Sequence, residues 1–146
     1  MPKVDVMKIL IPVDGSNHSD RAVQHLISTL DGCAGREIFL INVQEPITAP
    51  ELLSHMPANE VEAMQETRGG DALESARALL EQARVNYTAA VLVGPVPETI
   101  ARYASENACD KIVIGRRGLG AIGSALMGSV TTRLMHLTDL PVTLVK

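Results

Sequence analysis

The chain is poor in aromatic side chains. It has no tryptophan, one phenylalanine and two tyrosines, so aromatics make up 2% of the sequence. A platform on which nucleic-acid bases stack needs more than that. Positive charge is not in excess either. Thirteen Lys and Arg stand against 17 Asp and Glu, giving a net charge of −4 and a pI of about 5.5. The electrostatic footprint of a nucleic-acid binder is missing, so no nucleic-acid partner is expected. A small anionic ligand would have to be held by local dipoles and a few arginines. No apolar run approaches the length of a membrane span, and the first seven residues contain no signal-peptide core. No membrane partner is expected. Cys33 and Cys109 lie far apart and form no Cys-x-x-Cys pair, which fits reduced thiols in a cytoplasmic protein. The four histidines, His18, His25, His55 and His136, show no metal-ligand spacing. No metal site and no catalytic residue is assigned, because a Ser/His/Asp or Cys/His group cannot be assembled from sequence order alone.

What the chain does have is alternation. Its 146 residues suit one domain, 1–146, with a sizeable core. Five short apolar runs read as strands, the first and fourth of them buried: Lys8–Val13, Glu37–Val43, Ala89–Val93, Lys111–Ile114 and Val142–Val145. Continuous apolar character is the mark of parallel strands covered on both faces. Helical patterns separate them. The first begins near Ser16, Asn17 or Ser19, each a candidate N-cap, and is stopped by Asp31-Gly32. Its apolar face is Ala22, Val23, Leu26, Ile27 and Leu30. Residues 44–58 contain three prolines and read as a long loop. Asn59-x-x-Glu62 resembles a capping box for a helix reaching Ala83, with Val61, Met64, Leu73, Ala76, Leu79, Leu80 and Ala83 inward. Gly69-Gly70 is expected to break or kink that helix, since each glycine costs about 1 kcal/mol against alanine. A further helix starts near Pro97, and the last runs from Ser129 to about Leu137. The alternation β-α-β-α-β-α-β-α-β predicts a five-stranded parallel sheet with helices on both faces.

The richest segment lies near the C-terminus. Five of the eleven glycines fall between Gly115 and Gly128. They stand between a strand and a helix. Glycine lets a backbone approach a ligand closely, and a helix N-terminus offers free N–H groups and a partial positive charge. The combination suits an anion, most often phosphate. Ser129 could cap the helix or donate its hydroxyl to a phosphate oxygen; a plain flexible loop with a serine cap is the alternative. Gly123-x4-Gly128-Ser129 lacks the lysine of a Walker loop. Gly118-x-Gly-x-x-Gly123 matches the dinucleotide fingerprint as a string, but it begins several residues after its strand and one strand follows it.

Gly115-x2-Gly118-x9-Gly128-Ser129 resembles the nucleotide-binding signature of the universal stress protein family. Lys8-Ile-Leu-Ile-Pro-Val-Asp-Gly-Ser16 and Leu140-Pro-Val-Thr-Leu-Val145 resemble that family's first and last strands. The resemblance spans nearly the whole chain. It implies a Rossmann-like α/β fold of the adenine nucleotide alpha hydrolase type, with strand order 3-2-1-4-5. The order reverses between strands one and four, and ligands of such sheets bind at the carboxyl ends there.

The resemblance also implies a ligand and its residues. ATP or a related adenine nucleotide is expected, with Mg²⁺ arriving on the phosphates and holding few protein ligands. Pro12, Val13 and Val43 match positions that line the adenine, Val43 through its backbone; core packing accounts for them equally. Asp14 matches an acid beside the nucleoside, and a turn or cap aspartate is its other reading. Gly115, Gly118, Gly128, Ser129 and Val130 belong to the phosphate loop. Arg116 departs from the small polar residue that many relatives carry; it suits phosphate and equally a solvated surface. Leu119 to Ile122 reads as a cover over the last helix. The function implied is a nucleotide-dependent stress-response regulator. Its rivals are a slow ATPase at the same site, which lacks a Walker lysine and a second carboxylate, and an interaction scaffold without nucleotide. The apolar fifth strand, Val142–Val145, at the sheet's edge predicts a homodimer, as is common in the family.

Overall fold

The computed structural model describes residues 6–30, 35–48, 50–116 and 128–146. Among these, the strands are β1 (Met7–Pro12), β2 (Arg36–Gln44), β3 (Tyr87–Val93), β4 (Lys111–Gly115) and β5 (Val142–Val145). The helices are α1 (Asn17–Thr29), α2 (Pro50–His55), α3 (Ala58–Gln82), α4 (Val96–Glu106) and α5 (Ser129–Leu137). The strands form one parallel sheet in the order β3-β2-β1-β4-β5. The α/β expectation and the strand order hold. The sheet is wound from β1 outward through β2 and β3, then resumes on the other side of β1 with β4. The reversal lies between β1 and β4.

Alternate residues of the central strands feed two cores. Ile9, Ile11, Ile38 and Leu40 pack with Val23 and Leu26 of α1 and Leu73 and Leu80 of α3. Leu10, Phe39, Ile41, Ile112 and Ile114 pack with Ile100 and Ala104 of α4 and Leu134 of α5. Each fully buried Ile or Leu contributes about 1.5–3 kcal/mol of hydrophobic stabilisation. The continuous apolar reading of β1 and β2 is thus the trace of a sheet covered twice.

Four local expectations need correction. The segment 44–58 is not all loop, because α2 occupies Pro50–His55; prolines are tolerated in a helix's first turn. The Asn59/Glu62 capping box does not form. Pro57 is the N-cap of α3 and makes no side-chain capping bond, so Asn59 lies inside the first turn. Gly69-Gly70 does not interrupt α3, which runs unbroken for 25 residues. Gly69 is there for closeness: a Cβ on it would stand 2.7 Å from Val91 Cγ2 of β3. The helix forgoes a side chain so that its backbone can approach the sheet. Finally, Ala83, expected inward, is the exposed C-cap of α3, because the helix ends at Gln82 before that position turns to the core. Asp31-Gly32 lies outside the described residues.

Candidate functional site

The carboxyl end of β1 is held by a compact set of hydrogen bonds. Asp14 Oδ1 accepts from Ser16 N at 2.9 Å and from Ser19 Oγ at 2.7 Å. Ser19 Oγ in turn accepts from Asp14 N at 3.0 Å. Ser16 caps α1, accepting from Ser19 N at 3.2 Å. The aspartate therefore orders the turn into α1, as its structural reading requires. Both of its bonds fall on Oδ1. The turn rests on α3: a Cβ on Gly15, whose φ is +85°, would stand 3.2 Å from Ala72 Cα.

Beside it, β4 ends at Gly115 against the first turn of α1. A Cβ on Gly115 would run into the carbonyl of His18, with its carbon at 2.7 Å and Ser19 N at 3.2 Å. Only glycine fits there, since backbone atoms cannot swing aside. Arg116 follows, half-buried, and its N–H donates to Val145 O at 2.7 Å. Gly118, with Arg117 and Leu119 to Ile122, lies outside the described residues. Gly128 is the N-cap of α5 in extended backbone and makes no side-chain capping bond. The expected cap, Ser129, is instead the first helical residue and is exposed. Val130 packs against the α4/α5 core.

On the other flank, Pro12 pairs with Ile41 and Val13 N donates to Ile41 O at 2.8 Å. Val43 lies just beyond. In a parallel strand the N–H and C=O of one residue point the same way and those of the next point oppositely. Ile41 bonds to the β1 side, and Gln44 O accepts from Gly94 N on the β3 side at 3.0 Å. Val43 therefore turns its N–H and C=O toward β1, past the last pairing of the two strands. Pro12, Val13, Asp14 and Val43 thus come together at one end of the sheet, with Gly115 on the strand next to β1.

Against known proteins, the profile described as the Universal stress protein family matches residues 6–146. The chain belongs to the universal stress protein family. It is 31% identical over 139 residues to a universal stress protein of Thermus aquaticus, covering 94% of this chain and 97% of that one. Hypothetical protein MJ0577, solved for structure-based assignment of its biochemical function, superposes with a TM-score of 0.80 at 26% identity. The superposition covers 98% of this chain and 97% of that one. A universal stress protein of Arabidopsis thaliana, solved with AMP bound, shares the fold at 19% identity. Its TM-score is 0.68, over 96% and 91% of the two chains.

Three polar residues escape a sequence reading of this universal stress protein's site. Asn42 is 2% exposed and donates from Nδ2 to Val13 O at 2.8 Å. Gln44 Nε2 donates to Asn42 Oδ1 at 2.5 Å. Gln65, buried on α3, donates from Nε2 to Glu45 O at 3.1 Å. The signal for Asn42 is present in the sequence as the one amide inside the apolar run Ile38–Val43. Gln65 gives no such signal, because its partner is a backbone carbonyl 20 residues away. Among the described residues no group of three or more His, Cys, Asp or Glu could hold a metal ion. No described helix is long and apolar enough to cross a membrane.

Proposed function

We propose that this protein binds an adenine nucleotide, ATP or a close relative, in the crevice where the sheet reverses between β1 and β4, and acts as a nucleotide-dependent stress-response regulator. One observation carries the reading: next to the reversal, the β1–β2 pairing ends at Pro12–Ile41 and the Val13 N–Ile41 O bond, with the N–H and C=O of Val43 turned toward β1 beyond it. That pair is a donor next to an acceptor. Adenine presents a ring-nitrogen acceptor beside an amino donor, whereas guanine puts a carbonyl where adenine has the amino group. Asp14 makes both of its hydrogen bonds through Oδ1, which leaves Oδ2 to accept from a ribose hydroxyl. The phosphates fall to Gly115, Arg116, Gly118, Gly128, Ser129 and Val130, with the α5 N-terminus supplying backbone N–H groups. The AMP bound to the Arabidopsis protein of the same fold supports the choice of ligand class. Mg²⁺ would ride on phosphate oxygens, since the described residues bring it no acidic cluster.

Mass spectrometry of small molecules released from the purified protein tests the ligand. Bound adenine nucleotide is expected. On protein freed of it, ATP with Mg²⁺ at about 100 times its dissociation constant should add roughly 2.7 kcal/mol, a melting shift of several degrees. Asp14→Ala should weaken adenosine and ATP alike, and Gly128→Leu should abolish binding of ATP in a folded protein. No released nucleotide and no shift at millimolar ATP would return the protein to the scaffold reading. The homodimer belongs to the same proposal. Among the described residues β5 pairs with β4 alone, so its outer edge is open to a second copy. Sedimentation at micromolar concentration should give twice the 15.6 kDa chain mass.

A further inference from the structure

The ladder between β1 and β2 stops one bond earlier than its geometry allows. Val13 N still donates to Ile41 O. In a parallel ladder the same residue's carbonyl would next accept from Val43 N–H, two residues on. It does not. Val13 O accepts instead from the side-chain amide of Asn42 at 2.8 Å. Asn42 stands between the two residues whose backbones would otherwise join, and its side chain takes the place of its neighbour's N–H. The amide is held in that sense by Gln44, which donates to its Oδ1 and leaves Nδ2 directed at Val13. At 2% exposure, the Asn42 amide is a buried polar group in a strand that otherwise packs apolar side chains. Such a group costs stability unless it is hydrogen-bonded. Leucine or isoleucine would serve the packing better.

We propose that Asn42 is a positioning residue that terminates the β1–β2 ladder: by satisfying Val13 O with its side chain, it keeps the Val43 N–H free for a ligand's base edge. The base-edge half of this rests on the nucleotide reading above; the ladder half does not. Without Asn42, Val13 O would be left short of a donor. A continued parallel ladder would supply that donor from Val43 N–H, so the strands would zip one bond further and spend the N–H that the base edge would use. Gln44 acts at one remove, by fixing which end of the amide faces Val13. The arrangement gives the site a donor that is preorganised but unspent, so binding forfeits no internal hydrogen bond of the protein.

Hydrogen exchange at single amides, in nucleotide-free protein, reads the ladder directly. In the wild-type chain the Val43 amide should exchange far faster than that of Ile41. In Asn42→Leu, which keeps the branched four-heavy-atom skeleton but has no donor, Val43 exchange should slow at least tenfold. Adenosine and ATP should bind about tenfold more weakly, with ATP-over-GTP preference reduced, because a spent donor no longer reads the base. Gln44→Leu, which leaves the buried amide in place, should shift both quantities in the same direction by less, and it serves if Asn42→Leu does not fold. A purely structural role for Asn42 would lower the melting temperature and leave relative Val43 protection unmoved. A Val43 amide as protected as Ile41's in the wild type, or unchanged in both variants, overturns the proposal whatever binds. A wild type with the expected exchange pattern but no affinity for any nucleotide overturns the nucleotide reading and the base-edge role with it, and leaves the early end of the ladder established.

Discussion

The two ends of this sheet are built in different ways. All five buried polar side chains among the described residues lie toward the carboxyl end: Ser19, Asn42, Gln65, Thr99 and Thr131. Ser19, Thr99 and Thr131 stand in the first turns of helices that follow strand ends, and Asn42 and Gln65 secure the exit of β2. At the amino end, besides Lys8 N donating to Asp110 Oδ2 at 2.7 Å, bonds run from backbone to backbone. Met7 N bonds to Gly35 O at 2.9 Å, Asp110 N to Lys8 O at 2.7 Å and Cys109 N to Ala104 O at 2.9 Å. A cleft of about 290 Å³ opens there among Ile27, Leu30, Arg36, Arg84 and Val85, and no buried polar side chain serves it. Where side chains take over the hydrogen bonding of the backbone, N–H and C=O groups are released. Backbone bonds cross the carboxyl end too, from Val13 N to Ile41 O and from Gly94 N to Gln44 O, so the contrast lies in the buried side chains. Among the described residues, buried side-chain amides and hydroxyls mark one end of the sheet and not the other.

Substitutions at the two ends should therefore fail differently. The largest stability loss is expected for Ile38→Ala, in the amino half of β2 and 1% exposed. It deletes packing in the α1/α3 core and should cost about 3 kcal/mol or more, with nucleotide affinity at low temperature unchanged. Chemical denaturation beside a binding titration checks both halves of that statement. Gly115→Val comes next. Its side chain would meet the backbone of His18, which can yield only by moving the first turn of α1. A loss of about 2–3 kcal/mol follows from such overpacking, here together with loss of binding, because the same turn carries Ser16 and Ser19. A variant that binds ATP normally would show that the β4–α1 contact is separable from the site.

The two ends also differed in how far the sequence could be read. Periodicity exposed the strands, because burial on both faces leaves an unbroken apolar run such as Ile38–Ile41. Glycine density pointed to the β4–α5 loop. The resemblance placed Val43 and Asp14, which do stand at neighbouring strand ends. The failures share a cause. Gly69-Gly70 was expected to break α3 because propensity is local, while the reason for Gly69 is Val91 on a strand 22 residues away. Asn59 and Glu62 spelled a capping box, yet Pro57 set the helix start. Asn42 and Gln65 act on carbonyls distant in the chain. Sequence reports a residue's own preference and is silent on which far backbone atom it will serve.

Cys109 sharpens the comparison from the amino end. It is a free thiol, 5% exposed, and burial pushes it from 9.0 up to about 11, with Asp110 adding to the shift. A pKa raised in the fold means that the native state holds the proton longer than the unfolded chain does. Its contribution is present in full below pH 9 and is lost as pH rises from about 9 to about 11, amounting to roughly 2 kcal/mol at the top of that window. Unfolding free energies measured through that window should fall less steeply in Cys109→Ala than in the wild type. Equal slopes would mean that this end of the sheet admits water to the thiol.

The smallest effect should come from Gln65→Leu, and it bears most directly on what the carboxyl end is for. Gln65 Nε2 bonds to Glu45 O, just past the end of β2, so it holds the segment that leaves Val43. Its removal forfeits one neutral hydrogen bond, about 1 kcal/mol, while leucine retains most of the packing on α3. If the amide only contributed stability, the loss would be spread over the molecule as a uniform fall in global protection. If it fixes the β2 exit, amides at 44–48 should exchange faster and protease should cut there sooner, with the core of α3 near Leu73 and Leu80 untouched. Adenosine affinity should then fall by a few-fold, less than for Asn42→Leu, because Gln65 steadies the chain after the donor and does not control the donor itself. An affinity loss larger than that of Asn42→Leu would reverse this ranking and make α3, not the β1–β2 ladder, the element that shapes the base pocket.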